Sequence, residues 1–280
     1  MASKSHARSN SFPNGSHPSS MKVQDDLSNL RTWESTSTST SESICIGFSL
    51  LQDLYVSLDD LLIVASTQKV ISQHHGDKSF EEIMDGSVRI LDICGITRDT
   101  VMQIKENVQS LHSSLRRRKG DSTIETSISE YNSFSKKMKK NVHKLITSLK
   151  QLESKLGESA LLNQHQDLSV LREVIVMNMS AFQYLLSFLA GPPSKSKAAK
   201  WMNKLMKKGE VNSQNSNELQ CLDTALDTLL SEGANSSNMQ IAHESLEALE
   251  NTIESLEKSL ENLYRHLIKT RASLLNIMTQ

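Results

Sequence analysis

The residues with the clearest chemical pattern lie between positions 195 and 208, where six lysines and no acidic residue surround several large apolar side chains. On a helix these apolar side chains share one face beside a cationic face, a profile typical of segments that lie on anionic membranes or bind calmodulin. The alternative is a surface connector whose Trp201 packs back on the protein. The predicted partner or membrane contacts are Lys195, Lys197, Lys200, Trp201, Lys204, Leu205, Lys207 and Lys208.

A second basic cluster, formed by Arg116, Arg117, Arg118 and Lys119, comes at the predicted end of a helix. Positive charge at that end interacts favourably with the helix dipole, so we interpret the cluster as a helix cap. Binding of phosphate or of an acidic partner is the alternative interpretation of these four residues.

Other residue types that support chemistry occur singly or at unsuitable spacing. Ser11 follows Arg8 by three positions, which suits phosphorylation by a basophilic kinase. His74, His75 and Asp77 are the only clustered metal-type ligands, but adjacent histidines on a helix diverge, so we predict no metal site. The chain has no phosphate-binding glycine loop, no nucleophile elbow and no paired cysteine motif. We therefore predict that the protein is not an enzyme and carries no cofactor.

The elements that must position these residues are predicted to be helices. The chain has 280 residues, of which 37% are hydrophobic and only 4% aromatic, with ten glycines and four prolines. Scarce glycine and proline, together with the lack of sustained β-branched alternation, indicate an all-α protein. A net charge of -1 argues against a nucleic-acid binder.

Cysteine usage and the N-terminal residues bear on the cellular compartment. Cys45, Cys94 and Cys221 are isolated and odd in number, which indicates a reducing compartment rather than a disulfide framework. The first 22 residues contain three basic residues, no acid and many serines, so they weakly resemble an organellar transit peptide. We predict an intracellular, cytoplasmic protein, with plastid and peripheral membrane locations as alternatives.

The longest pattern in the chain is an apolar seam with 4-3-4-3 spacing, which predicts one helix of roughly 54 Å. One flank of the seam, from Ser245 to Ser273, is small and mostly uncharged, whereas a two-stranded coiled coil normally carries opposite charges on both flanks. The small flank favours neighbouring helices of the same chain, and hence a monomer, over a dimerisation zipper. The seam residues are Ala242, Leu246, Leu249, Ile253, Leu256, Leu260, Leu263, Leu267, Thr270, Leu274 and Ile277.

Further helices with their own apolar seams are predicted upstream of this one. They span about 48–74, 79–115, 122–156, 159–190 and 217–231. The apolar stretch from Val174 to Ala190 is interpreted as a buried central helix rather than a membrane span. We predict a single domain over residues 44–280, an elongated up-and-down bundle of long helices.

The predicted bundle follows a disordered Ser-rich N-terminal tail over residues 1–43. This tail contains one short amphipathic helix from Val23 to Trp33. The nearly pure Ser/Thr run from Ser35 to Ser43 favours turns, so we expect it to separate the short helix from the body.

Two segments of the sequence, residues 105–155 and residues 209–262, carry opposite net charge. Residues 105–155 contain twelve lysines or arginines against five acids, whereas residues 209–262 contain eleven acids against one base. We therefore expect a basic helix to lie beside an acidic helix. The four lysines between Lys136 and Lys140 are expected to face the glutamates between Glu247 and Glu261.

Six stretches spread over nearly the whole chain carry the motifs of one protein family. They are Arg8–Ser11 with His17–Pro18, Leu50–Leu54, Asp59–Leu62, Asp85–Gly95, Leu115–Gly120 and Leu263–Ile277. On these stretches the chain resembles the plant-specific BYPASS-type family, a group of uncharacterised helical proteins formerly labelled a domain of unknown function. The resemblance implies a plant source and a link to root and shoot development, and it supplies no enzyme activity, cofactor or catalytic residue.

Together these observations predict a non-enzymatic helical interaction protein with an unidentified protein partner. The alternative prediction is a peripheral membrane or calmodulin-binding protein that acts through residues 195–208.

Overall fold

Eight α-helices make up the part of the chain that the computed structural model describes, residues 17–74, 76–117, 120–159, 166–191 and 217–279. No strand occurs within these ranges, so the prediction of an all-α bundle is confirmed. The helices are α1 (Pro18–Thr36), α2 (Ser41–Leu62), α3 (Ala65–His74), α4 (Lys78–Arg116), α5 (Gly120–Ser159), α6 (Gln166–Ala190), α7 (Glu218–Glu232) and α8 (Ser236–Met278).

Several helix ends follow from capping residues in the sequence. The side chains of Thr40, Asn217 and Asn235 accept hydrogen bonds from backbone N–H groups at the starts of α2, α7 and α8. These bonds satisfy donors that the first turn of a helix leaves unpaired. Gly233 follows α7 with a φ of 85°, a backbone conformation that glycine adopts without strain. The short connection it forms lets α8 fold back along α7.

The first predicted helix of the body is divided in the structure. We expected one helix to continue to His74, whereas α2 ends at Leu62 and α3 begins at Ala65. The side-chain amide of Gln68 donates to the carbonyl oxygen of Leu62 at 3.0 Å, so this carbonyl is satisfied without another turn of α2. Periodicity could not reveal the break, because Leu62 and Ala65 keep helical spacing across it.

The predicted C-terminal helix, α8, closes the bundle from within the same chain. All eleven seam residues of α8 are buried. On its small flank, the carbonyl oxygen of Ser259 accepts a hydrogen bond from the side-chain amide of Gln52 in α2. On its charged flank, Glu257 forms an ion pair with Lys105 in α4. The two flanks therefore contact two different helices, as the bundle interpretation requires.

A second contact on each flank of α8 fixes the directions of the helices. Thr270 donates to Asp59 near the C-terminal end of α2, so α8 runs parallel to α2. Arg271 donates to Ser87 near the N-terminal end of α4, so α8 runs antiparallel to α4. α8 has 43 residues and is therefore about 65 Å long.

The bundle has two ends of different construction. α4, α5 and α8 run along its length, and at one end they pack with α1, α2, α3 and α6. We call this end the wide half. At the other end they are joined by α7, which contacts α8 and forms an ion pair with α5. We call this end the narrow half, and it comprises α7 with residues 105–116, 120–139 and 236–252.

α1 is fixed to the wide half by a tryptophan that occupies a glycine notch. Its buried residues are Val23, Leu27, Leu30 and Trp33, which lie on one helix face. The indole nitrogen of Trp33 donates to the backbone carbonyl of α2 residue 43 at 2.8 Å. The Trp33 ring fills the space that a Cβ on Gly47 would need. A glycine at this position is therefore required for α1 to approach α2 closely.

The packing of α1 differs from the sequence prediction of a helix held apart from the body. α1 extends to Thr36 and contacts both α2 and α6, so that only residues 37–40 form the connection to α2. The physical reason is the notch at Gly47, whose partner is 14 positions earlier in the chain and which no Ser/Thr composition can reveal. Residues 1–16 of the predicted disordered tail lie outside the described residues.

α6 is the apolar helix at the centre of the wide half. By length and composition alone, residues 167–190 qualify as a membrane span, with a mean hydropathy of 1.3. In the bundle, 67% of that window is buried, because α1, α2, α4 and α5 pack around it. Core helices of helical bundles have this composition, and the sequence interpretation of α6 as a buried central helix agrees with its position.

Candidate functional site

Few of the residues that the sequence singled out fall within the described ranges. The eight predicted contacts between Lys195 and Lys208 lie outside them. Arg116 lies in the last turn of α4 and Arg117 follows it, and both are exposed, which is the position that the helix-dipole interpretation requires. Their role stays a prediction. Ser11, Arg118 and Lys119 also lie outside the described ranges.

The histidine cluster is divided between two helices. His74 is the last residue of α3, and Asp77 immediately precedes α4. His75 is not among the described residues. In the described part of the chain, no group of three or more His, Cys, Asp or Glu side chains is placed to hold a metal ion.

Three of the stretches that carry the family motifs meet in the wide half. They belong to α2, α4 and α8, and the contacts between them are hydrogen bonds. Arg271 Nη1 donates to the hydroxyl of Ser87 at 2.6 Å and to the carbonyl oxygen of Met84 at 3.1 Å. Thr270 Oγ1 donates to Asp59 Oδ1 at 2.7 Å, although the two residues are 211 positions apart. The motifs therefore specify how distant helices pack together.

These contacts border a small, half-open cavity between α2, α4, α6 and α8, which we call the four-helix cavity. Its volume is about 30 Å³, which is room for about one or two water molecules. Most of its lining side chains are aliphatic. The polar side chains that line it are Tyr55, Ser87, Asn178, Thr270 and Arg271.

Asn178 is the most deeply buried polar residue of this cavity, with no exposed surface. Its Nδ2 donates to the hydroxyl oxygen of Tyr55 at 2.9 Å and to the carbonyl oxygen of Val174 at 2.7 Å. Its Oδ1 is buried and has no hydrogen-bond partner among the described residues. Burial raises the pKa of Tyr55, so its hydroxyl keeps its proton at neutral pH.

Asp59 is a carboxylate that is buried but fully engaged. Its side chain is about 10% exposed, and Lys269 Nζ lies 2.8 Å from its Oδ2. The hydrogen bond and the negative charge of Asp59 raise the pKa of Lys269. Thr270 binds the other carboxylate oxygen. Asp59 thus joins α2 to α8, and its pairing leaves it no free oxygen for acid-base chemistry.

A second candidate surface lies on the narrow half, where acidic side chains of α7 and α8 face outward. Exposed acids here accompany two exposed apolar residues, Leu230 and Ile241, whose side chains are 45% and 49% exposed. We call this set the acidic surface. It consists of Asp227, Leu230, Glu232, Ile241, Glu244, Glu247 and Glu254.

Acids of α7 and α8 that point toward neighbouring helices are paired instead. Glu250 lies 2.9 Å from His112 of α4, and Asp223 lies 2.7 Å from Lys139 of α5. A basic region and an acidic region therefore do lie side by side. The expected pairing of the lysines between Lys136 and Lys140 with the glutamates of α8 is wrong in its partner, because α5 packs behind α4 and meets α7.

Sequence reasoning missed the residues of the four-helix cavity. The signal that marks Asn178 is a polar residue inside the apolar stretch from Val174 to Ala190. A buried amide is costly unless it is hydrogen-bonded, so its presence there predicts a partner on a facing helix. That partner, Tyr55, is 123 positions away, and no local pattern identifies it.

Comparison with protein-family models finds a match over most of the chain. A model described as Protein BPS1 matches residues 47–277, more than four fifths of the chain. The matched range contains every residue of the four-helix cavity and of the acidic surface, and it begins after α1. A search of curated proteins and a search of solved structures each found no match.

Proposed function

The chain belongs to the BPS1 family, the BYPASS-type family that its motifs resemble, and from this premise we propose that it is a non-enzymatic interaction protein in plant root and shoot development. The observation that carries this proposal is the acidic surface of the narrow half. Two exposed apolar side chains and five exposed acids occur there on α7 and α8, whose acids Asp223 and Glu250 are paired with neighbouring helices.

The chemistry of the acidic surface suits a protein partner. Leu230 and Ile241 each leave nearly half of the side chain in water, and burying such groups against a partner removes apolar area at about 25 cal/mol per Å². The surrounding carboxylates favour a partner with lysine or arginine at its rim, because complementary charge speeds association and sets orientation. We propose that this protein acts as a cytoplasmic monomer that presents the acidic surface.

Proximity labelling in plant tissue tests the acidic surface directly. The full chain is fused to a labelling enzyme and compared with the Glu244→Lys/Glu247→Lys variant. The matched control is Asp92→Lys/Asp99→Lys, which makes the same charge change on the exposed face of α4. We expect the first variant to lose a set of neighbours that the wild type and the control retain. Identical neighbours for all three proteins would contradict the proposal.

The developmental part of the proposal needs a test in the plant. Seedlings that lack the protein are expected to show altered root and shoot growth, restored by the wild-type chain and by Asp92→Lys/Asp99→Lys. Glu244→Lys/Glu247→Lys is expected to restore growth poorly at equal protein abundance. Normal growth of seedlings that lack the protein would contradict the proposed role in root and shoot development. Cell fractionation of the same seedlings tests the cytoplasmic location against the plastid and membrane alternatives.

A second candidate function is peripheral membrane or calmodulin binding through residues 195–208. Its support is the composition of that segment, with six lysines around Trp201 and Leu205. The described residues on either side also lie together, because Asn217 Nδ2 donates to the carbonyl oxygen of Phe188 at 2.9 Å. The end of α6 and the start of α7, between which the segment lies in the sequence, are therefore next to each other.

Co-sedimentation with vesicles distinguishes this second function. Binding to anionic but not to neutral vesicles at low salt, lost in a Lys204→Gln/Lys207→Gln/Lys208→Gln variant, would support the membrane version. Lys136→Gln/Lys137→Gln/Lys140→Gln is the matched control, because it removes as many exposed charges from α5. Calcium-dependent retention on calmodulin that Trp201→Ala abolishes would support the other version. Failure of both assays would leave the acidic surface as the functional one.

A further inference from the structure

An open groove of about 530 Å³ lies on the surface between the start of α2 and the middle of α8, and we call it the α2/α8 groove. Most of its lining side chains are small, and its largest apolar one, Ile46, is 50% exposed. Among the described residues, no lysine or arginine lines it, and Lys258 lies outside the lining. The lining residues are Ser41, Glu42, Cys45, Ile46, Ser49, Asn251, Thr252 and Ser255.

Carboxylates lie around the α2/α8 groove. Glu42 lines it, and Glu254 is an exposed neighbour of its α8 residues. Glu218, the first residue of α7, accepts hydrogen bonds from the groove residues Ser41 at 2.5 Å and Thr252 at 3.1 Å. Negative charge at the rim and an exposed isoleucine inside favour an occupant that carries both positive charge and apolar side chains.

Residues 195–208 of the same chain have this composition. They contain six lysines and no acid, with Trp201 and Leu205 four positions apart. Side chains at this spacing share one face of a helix, so the two large apolar groups can contact one surface together. The charge and the apolar content of the segment therefore complement those of the α2/α8 groove.

The connectivity of the chain places the α2/α8 groove within reach of this segment. Asn217 caps α7, and the next residue, Glu218, is already bonded to both walls of the groove. Residues 209–216 join the segment to this point, and eight residues span at most about 26–29 Å. The groove residues 41–49 of α2 extend over only about 12 Å. A short tether of this kind gives an effective concentration in the millimolar range.

We propose that the α2/α8 groove binds residues 195–208 of the same chain, so that Trp201 and Leu205 cover Ile46. The lysines of the segment then lie beside the acidic rim. This intramolecular contact goes beyond both proposed functions, because it needs neither an external partner nor a membrane. A membrane or calmodulin that binds residues 195–208 must first displace them from the groove.

Cys45 makes this contact measurable, because its half-buried thiol lines the α2/α8 groove. Cys94 is buried, so Cys221→Ser leaves Cys45 as the accessible cysteine. In that background, the rate at which iodoacetamide, an uncharged reagent, modifies Cys45 reports whether the groove is covered. Burial raises the pKa of Cys45, so all rates are compared at one alkaline pH.

Removal of lysines from the segment should uncover the thiol. We expect Lys204→Gln/Lys207→Gln/Lys208→Gln to make Cys45 react about three to ten times faster, because weaker attraction leaves the groove open more often. Loss of nearby positive charge would by itself raise the pKa of the thiol and slow the reaction, so a faster reaction reports uncovering.

The matched control for the lysine variant is Lys136→Gln/Lys137→Gln/Lys140→Gln, which removes as many exposed charges from α5. It should keep the wild-type rate of Cys45 modification. Equal rates in the wild type and in both lysine variants would overturn the proposal.

A variant on the groove side provides a second readout. Ile46→Lys places a positive charge where the lysines of the segment are proposed to lie. Val56→Lys makes the same change on the exposed face of α2 outside the groove. We expect trypsin to cut within residues 195–208 about three to ten times faster in Ile46→Lys alone, because repulsion releases the segment. Equal cleavage of the segment in both variants would contradict the proposed contact.

Dilution distinguishes the segment of the same chain from that of a second copy. A contact within one chain does not depend on protein concentration, so the rate of Cys45 modification should stay constant over about a hundredfold range of concentration. Protection of Cys45 that disappears on dilution would place the segment of another copy in the α2/α8 groove and would overturn the proposal.

Discussion

The wide and narrow halves of the bundle are built on different principles. In the wide half, four buried side-chain polar atoms have no hydrogen-bond partner among the described residues, and a fifth, Asp59 Oδ2, is paired with Lys269. The core of the narrow half is mainly aliphatic with one buried tyrosine, Tyr131, and its charged pairs, of which His112 is buried, join neighbouring helices. Both halves have an apolar core, and the wide half adds buried hydrogen bonds between helices such as Thr270 with Asp59 and Asn178 with Tyr55.

This difference has an energetic consequence for each half. Apolar packing tolerates rearrangement among similar volumes, whereas a buried polar group fits only one arrangement of its neighbours. The wide half contains contacts such as Asn178 with Tyr55 and Thr270 with Asp59, which join residues more than 120 positions apart. We expect substitutions in the two halves to differ in size and in pH dependence, and the following predictions test that comparison.

The largest effect is expected where the two halves meet on α8. Leu256 is 1% exposed and lies four residues beyond the narrow half, so Leu256→Asp would bury a charge without a partner beside the boundary between the halves. We expect a loss of more than about 4 kcal/mol and an unfolded chain, observed by circular dichroism. Ser255→Asp is the adjacent exposed control and should stay folded. A folded Leu256→Asp monomer that had only lost self-association would make α8 an intermolecular helix.

In the narrow half, the loss of apolar volume should dominate. Leu226 is fully buried in α7, and we expect Leu226→Ala to lower the free energy of unfolding by about 2–5 kcal/mol. Leu230→Ala, on the exposed face of the same helix, should change it by no more than about 0.5 kcal/mol. Urea unfolding of the two variants provides the measurement. Similar values for both would mean that α7 does not belong to the cooperative core.

In the wide half, close approach of helices should dominate at the glycine notch. Gly47→Ala places a methyl group against the Trp33 ring, and we expect a loss of about 1–3 kcal/mol. The control is Gly95→Ala in α4, where the nearest atom, in the Tyr264 ring, is 3.8 Å away. That control should stabilise the helix by about 0.5–1 kcal/mol. Opposite signs in urea unfolding would confirm the notch, and two stabilised variants would exclude it.

The smallest effect is expected from one hydrogen bond in the wide half. Tyr55→Phe should lower the free energy of unfolding by about 0.5–1.5 kcal/mol at neutral pH, because Asn178 keeps its bond to Val174. Burial raises the pKa of Tyr55 above its ordinary value of 10.0, so the folded state holds the proton more tightly than the unfolded state. The resulting stability is present below pH 10 and is lost as the pH rises further.

The phenylalanine variant should therefore lose less stability than the wild type between about pH 9 and pH 11. Burial also raises the pKa of Tyr131 in the narrow half, so Tyr131→Phe is the matched variant. We expect both variants to flatten the alkaline loss, but only Tyr55→Phe to cost a hydrogen bond at neutral pH. Urea midpoints measured across this pH range would show whether the halves differ in this way.

The sequence predicted the parts of the fold that depend on regular spacing. The buried seam of α8 was predicted correctly, because a 4-3 repeat marks the buried face of a helix. The small flank of the seam correctly indicated that another helix of the chain packs closely there. The packing of α1 was not predictable, because it depends on Gly47 and Trp33 fitting each other in space. The partner of Lys139 was missed because charge totals do not show which helices are adjacent.

Of the two candidate sites, the sequence indicates the acidic surface but not the four-helix cavity. Exposed acids on α7 and α8 follow from composition, since a strongly acidic stretch must leave some carboxylates at the surface. The four-helix cavity does not follow, because its members come from four helices and its volume is what their side chains fail to fill. Only the polar interruption at Asn178 pointed toward it.

The position of α8 between α2 and α4 also has a consequence for biosynthesis. Every helix that α8 contacts precedes it in the chain, and Asp59 is synthesised 211 residues before its partner Thr270. Until α8 has been translated, the apolar faces of α2 and α4 that α8 covers remain exposed, and such surfaces attract chaperones or aggregate. The bundle can therefore close only after α8 has left the ribosome, long after α2 and α4 have been synthesised.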